Sequence, residues 1–236
     1  MDIKSGFLSL FFPTPCAGCG RYIKDFKYLY LCPECYGKIK EIPEERCAVC
    51  AKPLNSRYAG PCRECVERKN FFSYMEPAGI YEGSLRQLIR QLKFYRKSSA
   101  SKVLAGLIME KIGRDIFEGA HMLVPAPLSP GGLAERGFNQ TEKIARNISK
   151  ATAVPVVMAL AKIKETAPQN SLDRKERRKN LSGAFRAVRD VKGKTVIIVD
   201  DVFTTGSTIN EAAKTLVAAG AAEVRAITAA RSVINY

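Results

Sequence analysis

The chain has 236 residues, enough for one α/β domain and a small appendage, and its 46% hydrophobic content suits a globular protein with a sizeable core. A formal net charge of +15 points to polyanionic partners, meaning nucleic acid or phosphorylated ligands. The one histidine, His121, leaves no room for His-based metal sites, and no serine nucleophile elbow accompanies it to make a Ser-His-Asp triad.

From the start of the chain, Phe7-Leu8-Ser9-Leu10-Phe11-Phe12 is apolar but far too short to span a bilayer. It runs into Pro13 and Cys16 without a cleavage-site pattern, so a short packed helix is expected there, with no signal peptide. No other transmembrane candidate follows, and a cytoplasmic protein with no membrane insertion is expected.

All eight cysteines fall in four C-x-x-C pairs: Cys16/Cys19, Cys32/Cys35, Cys47/Cys50 and Cys62/Cys65. Two such turns aim four thiolates at one point and complete a tetrahedral zinc site, so eight cysteines fill two structural zinc sites without remainder. Pairing in chain order gives tandem ribbons, while interleaved pairing is equally compatible with gaps of eleven or twelve residues. A bridge within every C-x-x-C would be a redox motif rather than a scaffold, which argues against disulfides. The head, residues 1–70, reads as a metal-dependent folding device. Interleaved Arg21, Tyr22, Lys24, Phe26, Lys27, Tyr28 and Tyr30 read equally as a nucleic-acid surface, although Glu34, Glu41, Glu44 and Glu45 crowd the same region.

Residues 71–236 read as one further domain. Phe71 to Pro77 is a connector, and Gly79 to Gly83 a short strand and turn. Leu85, Leu88, Ile89 and Leu92 at helical spacing, with Arg86, Arg90 and Lys93 between them, predict an amphipathic helix with a basic face over 84–95. A second helix follows through Val103, Leu104, Leu107, Ile108 and Ile112. Met122 to Leu128 is the next strand, and a loop through Gly131, Gly132, Glu135, Arg136, Gly137, Phe138, Asn139 and Gln140 enters a helix ending near Lys150. Arg136 is the candidate anion partner in that loop, because a guanidinium suits bidentate phosphate contact; a plain helix salt bridge is the competing role. Val154 to Ala161 reads as a strand. The polar stretch Lys162 to Lys179, with Lys164, Thr166, Gln169, Arg174, Lys175, Arg177, Arg178 and Lys179, reads as a basic lid. Order restarts at Asn180 to Phe185, and Lys192-Gly193-Lys194 turns into the next strand.

That strand, Val196 to Val199, is apolar and ends in Asp200 and Asp201. Open α/β sheets place their ligands at this carboxyl end. The loop Thr204-Thr205-Gly206-Ser207-Thr208 follows, then a helix carrying Ile209, Ala212, Ala213, Leu216 and Val217. Backbone N–H groups and hydroxyls at such a loop hold phosphate, and Gly206 lets the backbone come close. A carboxylate beside phosphate is repelled by it, so the two acids face sugar hydroxyls or hydrated Mg²⁺. The combination describes a phosphorylated pentose site. No Gly-Lys-[Ser/Thr] follows the glycine, which excludes a P-loop, and the absence of G-x-G-x-x-G disfavours a dinucleotide site. The last strand is Glu223 to Ala230.

The run from Val196 to Thr208 resembles the phosphoribosyl pyrophosphate (PRPP) signature of type I phosphoribosyltransferases. The cysteine pairs, Tyr81-Glu82-Gly83-Ser84-Leu85-Arg86, Val124-Pro125-Ala126-Pro127-Leu128, Glu135 to Gln140, Thr166-Ala167-Pro168-Gln169 and Arg178 to Phe185 together resemble the ComF family over nearly the whole chain. The resemblance implies an α/β type I phosphoribosyltransferase fold, a mostly parallel central sheet flanked by helices, with an N-terminal double zinc ribbon. It further implies PRPP binding with Mg²⁺ and cytoplasmic handling of incoming single-stranded DNA during natural transformation.

On that reading Asp200 and Asp201 hold the ribose hydroxyls, directly or through Mg²⁺, and Thr204, Thr205, Gly206, Ser207 and Thr208 cradle the 5-phosphate. Arg136 meets pyrophosphate, and Lys164 adds charge to the leaving group. Lysines at 162 and 164 stand where an arginine is expected, which keeps charge but loses the bidentate fork. With the chain ending at Tyr236 soon after its last strand, no C-terminal hood is expected to select an acceptor, and residues before 121 would have to supply one. Two alternatives stand beside the DNA reading: an active phosphoribosyltransferase on a nucleobase or other small acceptor in nucleotide metabolism, and a zinc-head adaptor docking a helicase-like uptake partner.

Overall fold

A computed structural model describes residues 14–23, 30–55, 60–95, 97–164 and 180–233. In chain order its elements are β1 (Thr14–Pro15), β2 (Tyr22–Ile23), α1 (Pro33–Gly37), α2 (Arg63–Glu67), β3 (Met75–Pro77), α3 (Gly83–Phe94) and α4 (Ala100–Lys111). Then follow β4 (Met122–Pro125), α5 (Pro130–Arg136), α6 (Gln140–Thr152), β5 (Leu160–Lys162), β6 (Phe185–Ala187), β7 (Thr195–Phe203), α7 (Ser207–Ala218) and β8 (Glu223–Arg231). The expected apolar helix at 7–12 and the expected lid beyond Lys164, as far as Lys179, lie outside the described residues.

The central sheet has the order β3-β8-β7-β4, and every pairing in it is parallel. Parallel sheets bury both faces, and β7 shows how the sequence meets that demand. Side chains alternate along a strand, so Val196 and Ile198 enter one core while Ile197 and Val199 enter the other. One face is covered by α3, α4 and α6, through Leu85, Leu88, Leu104, Ile108, Ile144 and Ile148, all fully buried. The opposite face is covered by α7, through Ile209, Ala212, Ala213 and Leu216, with Leu160 and Phe185 at its margin.

Three segments differ from the sequence reading. Met75–Pro77 is an edge strand on β8 rather than a connector, while Ile80 makes only an isolated bridge to Arg231. Three residues are too few to show an alternating pattern. The expected strand at 154–161 is split. Val156 bridges Leu123, the Ala159 N–H then bonds the Val157 carbonyl, and Leu160–Lys162 pairs antiparallel with Phe185–Ala187 in a separate ribbon. A short helix, α5, sits within the expected loop, started by Ser129, which accepts a hydrogen bond from the Gly132 N–H at 3.2 Å, and by Pro130 in its first turn.

The cysteine-rich part does not stand apart from the sheet. Cys16, Ile23, Leu31, Cys32 and Cys35 belong to the core of the α3–α4–α6 face. Cys47, Cys50, Cys62 and Cys65 belong to the core of the α7 face. Each half of the head therefore packs on its own side of the sheet.

Candidate functional site

The eight cysteines form two clusters, Cys16/Cys19/Cys32/Cys35 and Cys47/Cys50/Cys62/Cys65, with all sulfurs in each cluster within 4.8 Å of one another. Pairing in chain order is thus the one the fold adopts. A tetrahedral centre with Zn–S bonds of ~2.3 Å has S···S edges of about 3.8 Å. Cys19 and Cys32 Sγ lie 3.8 Å apart, as do Cys50 and Cys62 Sγ. Backbone N–H groups of Gly18 and Cys32 point at Cys16 Sγ (3.3 and 3.2 Å), and those of Cys50 and Cys62 point at Cys47 Sγ (3.5 and 3.0 Å). At Cys16, burial raises the thiol, and the backbone donors of Cys19, Cys32 and Gly18 outweigh it to favour the thiolate. Gly18 is required here, because a Cβ would lie 2.8 Å from Cys35 Sγ. Four converging sulfurs with amide donors fit structural zinc, and the residues present would hold one ion per cluster.

The second centre of interest is at the carboxyl end of β7. Asp201 is buried, and its carboxylate meets Lys93 Nζ of α3 at 2.7 Å and Gln140 Nε2 of α6 at 3.0 Å. Asp200 accepts the Asp201 N–H at 2.8 Å. Burial, reinforced by the neighbouring Asp201 charge and opposed by Lys93, pushes the Asp200 carboxyl up to about 7. For Lys93, burial pulls its ammonium down, and Asp201 with Asp200 more than reverses this, so it stays charged.

The stretch Glu135 to Gln140 explains how Gln140 is aimed. Gly137 ends α5 at φ 75°, a left-handed conformation suited to glycine. Asn139 caps α6 by accepting the Thr141 N–H at 3.1 Å. Asn139 and Thr141 side chains also donate to the Ala126 carbonyl beyond β4, at 3.1 and 2.7 Å. This leaves Gln140, buried in the first turn of α6, facing the acids, with its Oε1 unpartnered. Arg136, half-buried at the end of α5, lies over the Phe94 ring at 6.0 Å and close enough to Lys93 to act on its charge.

Beyond the acids, Gly206 takes φ 74° and opens α7, and Thr205 Oγ1 accepts the Ser207 N–H at 3.4 Å. The helix dipole therefore faces the loop with partial positive charge. Thr205 and Ser207 hydroxyls lie 2.8 Å apart, and Thr204, Thr205 and Thr208 are half-buried beside them. A Cβ at position 206 would lie 2.4 Å from Phe203 Cζ. Gly206→Ala is expected to lower stability by about 2 kcal/mol, the left-handed backbone and the overpacking adding together. Gly193→Ala, at φ 69° with nothing near its Cβ, is expected to cost only about 1 kcal/mol. Urea unfolding of the two variants decides; equal losses would remove the ring contact from the account.

Lys164 follows β5 within the expected lid. Its Nζ donates to the Ser182 carbonyl at 2.8 Å and lies 3.3 Å from the position of a Cβ on Gly183. Lys93 and Gln140 were visible in the sequence only as members of a basic helix and a loop. Arg68, whose Nη1 donates to the Thr205 carbonyl at 2.8 Å, had no sequence signal at all.

Residues 132–233 match the family described as Phosphoribosyl transferase domain, and residues 7–66 match Double zinc ribbon domain. Competence protein F of Haemophilus influenzae is 32% identical over 83% of this chain and 87% of its own length. The chain belongs to the ComF family. DNA utilization protein YhgH of Escherichia coli is likewise 32% identical, over 76% of this ComF chain and 81% of its own. Among solved structures, a glutamine phosphoribosylpyrophosphate amidotransferase from B. subtilis aligns at 23% identity and a TM-score of 0.37, covering 56% of this chain and 26% of that one. The parallel sheet of this ComF chain, with its acids and loop at one end of β7, is the type I phosphoribosyltransferase arrangement. No helix among the described residues is long and apolar enough to cross a membrane.

Proposed function

We propose that this protein binds PRPP together with Mg²⁺ at the β7–α7 junction and handles single-stranded DNA in the cytoplasm. The observation that carries the PRPP half is the paired Asp200 and Asp201 at the end of a parallel strand, directly before a left-handed Gly206 and the start of α7. The loop takes the 5-phosphate, the acids read the ribose hydroxyls, and Arg136 with Lys93 supplies positive charge beside them. Carboxylate oxygens, one of them without an ion pair among the described residues, fit a hard divalent cation, and Asp200 and Asp201 would hold it. Bound with the ligand, Mg²⁺ supplies neutralisation of the diphosphate charge. Lys93 and Gln140 fix the Asp201 carboxylate in place, one on each oxygen.

Calorimetric titration of PRPP with Mg²⁺ into wild type and into Asp200→Asn/Asp201→Asn tests this. Saturable binding lost in the double variant is expected, and a zinc-replete wild type that binds nothing rules the reading out. Where binding occurs, nucleobases and single-stranded DNA are the first acceptors to offer.

The DNA half is supported by a groove of about 570 Å³ between the first zinc knuckle and α3–α4. Lys97, Lys102, Gln91 and Tyr30 line it, and an adjoining crevice adds Arg86, Arg90 and Tyr95. Tyr30 and Tyr95 are 47% and 64% exposed. Cations along a groove with exposed aromatic faces are what a single strand needs, phosphates held and bases stacked. The competence and DNA-utilization names of the relatives agree with this. Fluorescence anisotropy with an oligonucleotide is expected to give a salt slope that drops by about 1.4 in Arg86→Ala/Arg90→Ala, two phosphate contacts at ~0.7 each. Unchanged slope would place the DNA elsewhere.

A further inference from the structure

Between the second cysteine cluster and the phosphate loop lies a small cavity of about 10 Å³, room for roughly one water. Its walls are Cys50, Cys65, Arg68, Thr204, Thr205 and Arg231, with Phe203 and Glu64. Arg231 is the last residue of β8 and stands opposite Phe203 in the register. It is only 4% exposed, its guanidinium lies 4.9 Å over the Phe203 ring, and its Nε and Nη1 are buried with no hydrogen-bond partner. Arginine cannot shed its proton to escape such a place, and a buried cation without compensation is strongly unfavourable. Four thiols offer it nothing. Four thiolates on one Zn²⁺ carry a net charge of −2, which is the compensation Arg231 lacks.

The same cluster reaches the loop by a second route. The Cys65 carbonyl accepts from Asn70 Nδ2 at 2.9 Å. Asn70 Oδ1 accepts from Arg68 Nε and Nη2 at 3.0 and 2.8 Å, and Arg68 Nη1 donates to the Thr205 carbonyl at 2.8 Å. Asn210, in the first turn of α7, accepts the Phe71 N–H at 3.0 Å and donates to the Lys69 carbonyl at 3.2 Å. Phe72 meets Phe203 edge to face at 6.2 Å. Among the described residues the first cluster has no such link to the loop: Arg21 beside Cys19 is exposed and pairs with Glu34.

We propose that Arg231 is the counter-charge of the second zinc centre, and that this centre, unlike the first, holds the Phe203–Ser207 loop in its ligand-ready shape. Zinc at Cys47/Cys50/Cys62/Cys65 is then a regulator of the ligand site and not only a folding device. The assignment of a ligand to the loop rests on the proposed function; the clamp itself does not.

The test uses the full chain with both centres loaded. Arg231→Met is expected to release one of two zinc equivalents to a chelating indicator about 10- to 100-fold faster, the range for losing a group that supports metal ligands. The other equivalent keeps its wild-type rate. Hydrogen–deuterium exchange of the 203–210 amides is expected to rise in Arg231→Met and in Cys62→Ser, but not in Cys32→Ser, and Arg231→Lys recovers part of both effects. Unchanged zinc release in Arg231→Met, equal acceleration at both centres, or loop exchange that ignores which centre is lost would overturn the proposal. Should wild type show the exchange pattern but bind no PRPP, the clamp stands and the ligand reading alone fails.

Discussion

Asp201→Ala is expected to destabilise the protein by about 3 kcal/mol, because it leaves the Lys93 ammonium in the core without its carboxylate. The two side chains are 21% and 6% exposed, and α3 reaches β7 through this one ion pair and the apolar contacts around it. The low end of the range for breaking a buried pair applies, since some water still reaches Lys93. Removing both charges is a different matter. Lys93→Met/Asp201→Leu is expected to regain most of the loss, as buried ion pairs are often replaceable by apolar residues. Urea unfolding of wild type, both single variants and the double variant gives the coupling, expected at about 1–3 kcal/mol. Additive single losses would mean that the pair is not an energetic unit. Lys93 bonds one oxygen of Asp201 and Gln140 the other, while Asp200 makes no ion pair among the described residues.

The second large effect concerns that acid. Burial and the Asp201 charge push Asp200 up to about 7 in the folded protein, against an ordinary value of 3.8 in the unfolded chain. Between these values the folded state holds a proton that the unfolded state has lost. Stability from this group is fully present below about pH 4, falls as pH rises, and is gone above about pH 7. Asp200→Asn removes the titration. It is expected to leave stability within about 1 kcal/mol of wild type at pH 4.5 and to raise it by on the order of 4 kcal/mol at pH 8. Chemical unfolding of both proteins across that range checks the sign; a variant less stable than wild type at pH 8 would contradict it. A site that gains stability when its acid is neutralised is one maintained for ligand binding rather than for folding. On the proposed function, PRPP–Mg²⁺ affinity of the wild type is accordingly expected to rise from pH 6 to pH 8, since a cation needs the ionised form.

Both arguments concern residues whose partners come from distant parts of the chain, and this divides what could be read in advance from what could not. The C-x-x-C spacings name eight metal ligands because a two-residue turn constrains its own sulfurs. The run from Val196 to Thr208 names a buried strand, two acids at its end and a glycine turn into a helix because all of that geometry is local. The helices at 83–94 and 100–111 follow from apolar spacing in the same way. Met75–Pro77 escaped because its membership in the sheet depends on β8, some 150 residues later, and not on any pattern of its own.

By itself the sequence determined the inventory of the protein: a parallel-sheet domain with paired acids before a Thr/Ser/Gly loop, two four-cysteine sets and an excess of positive charge. Tertiary structure alone decided how these are joined. It settled which cysteines share a centre and sent the two centres to opposite faces of the sheet. It also brought Lys93 and Gln140 to Asp201, and Arg68 and Arg231 to the phosphate loop. The physical reason is that spacing within a turn, strand or helix is set by local backbone geometry. A contact between charges on separate elements exists only once burial has packed those elements together.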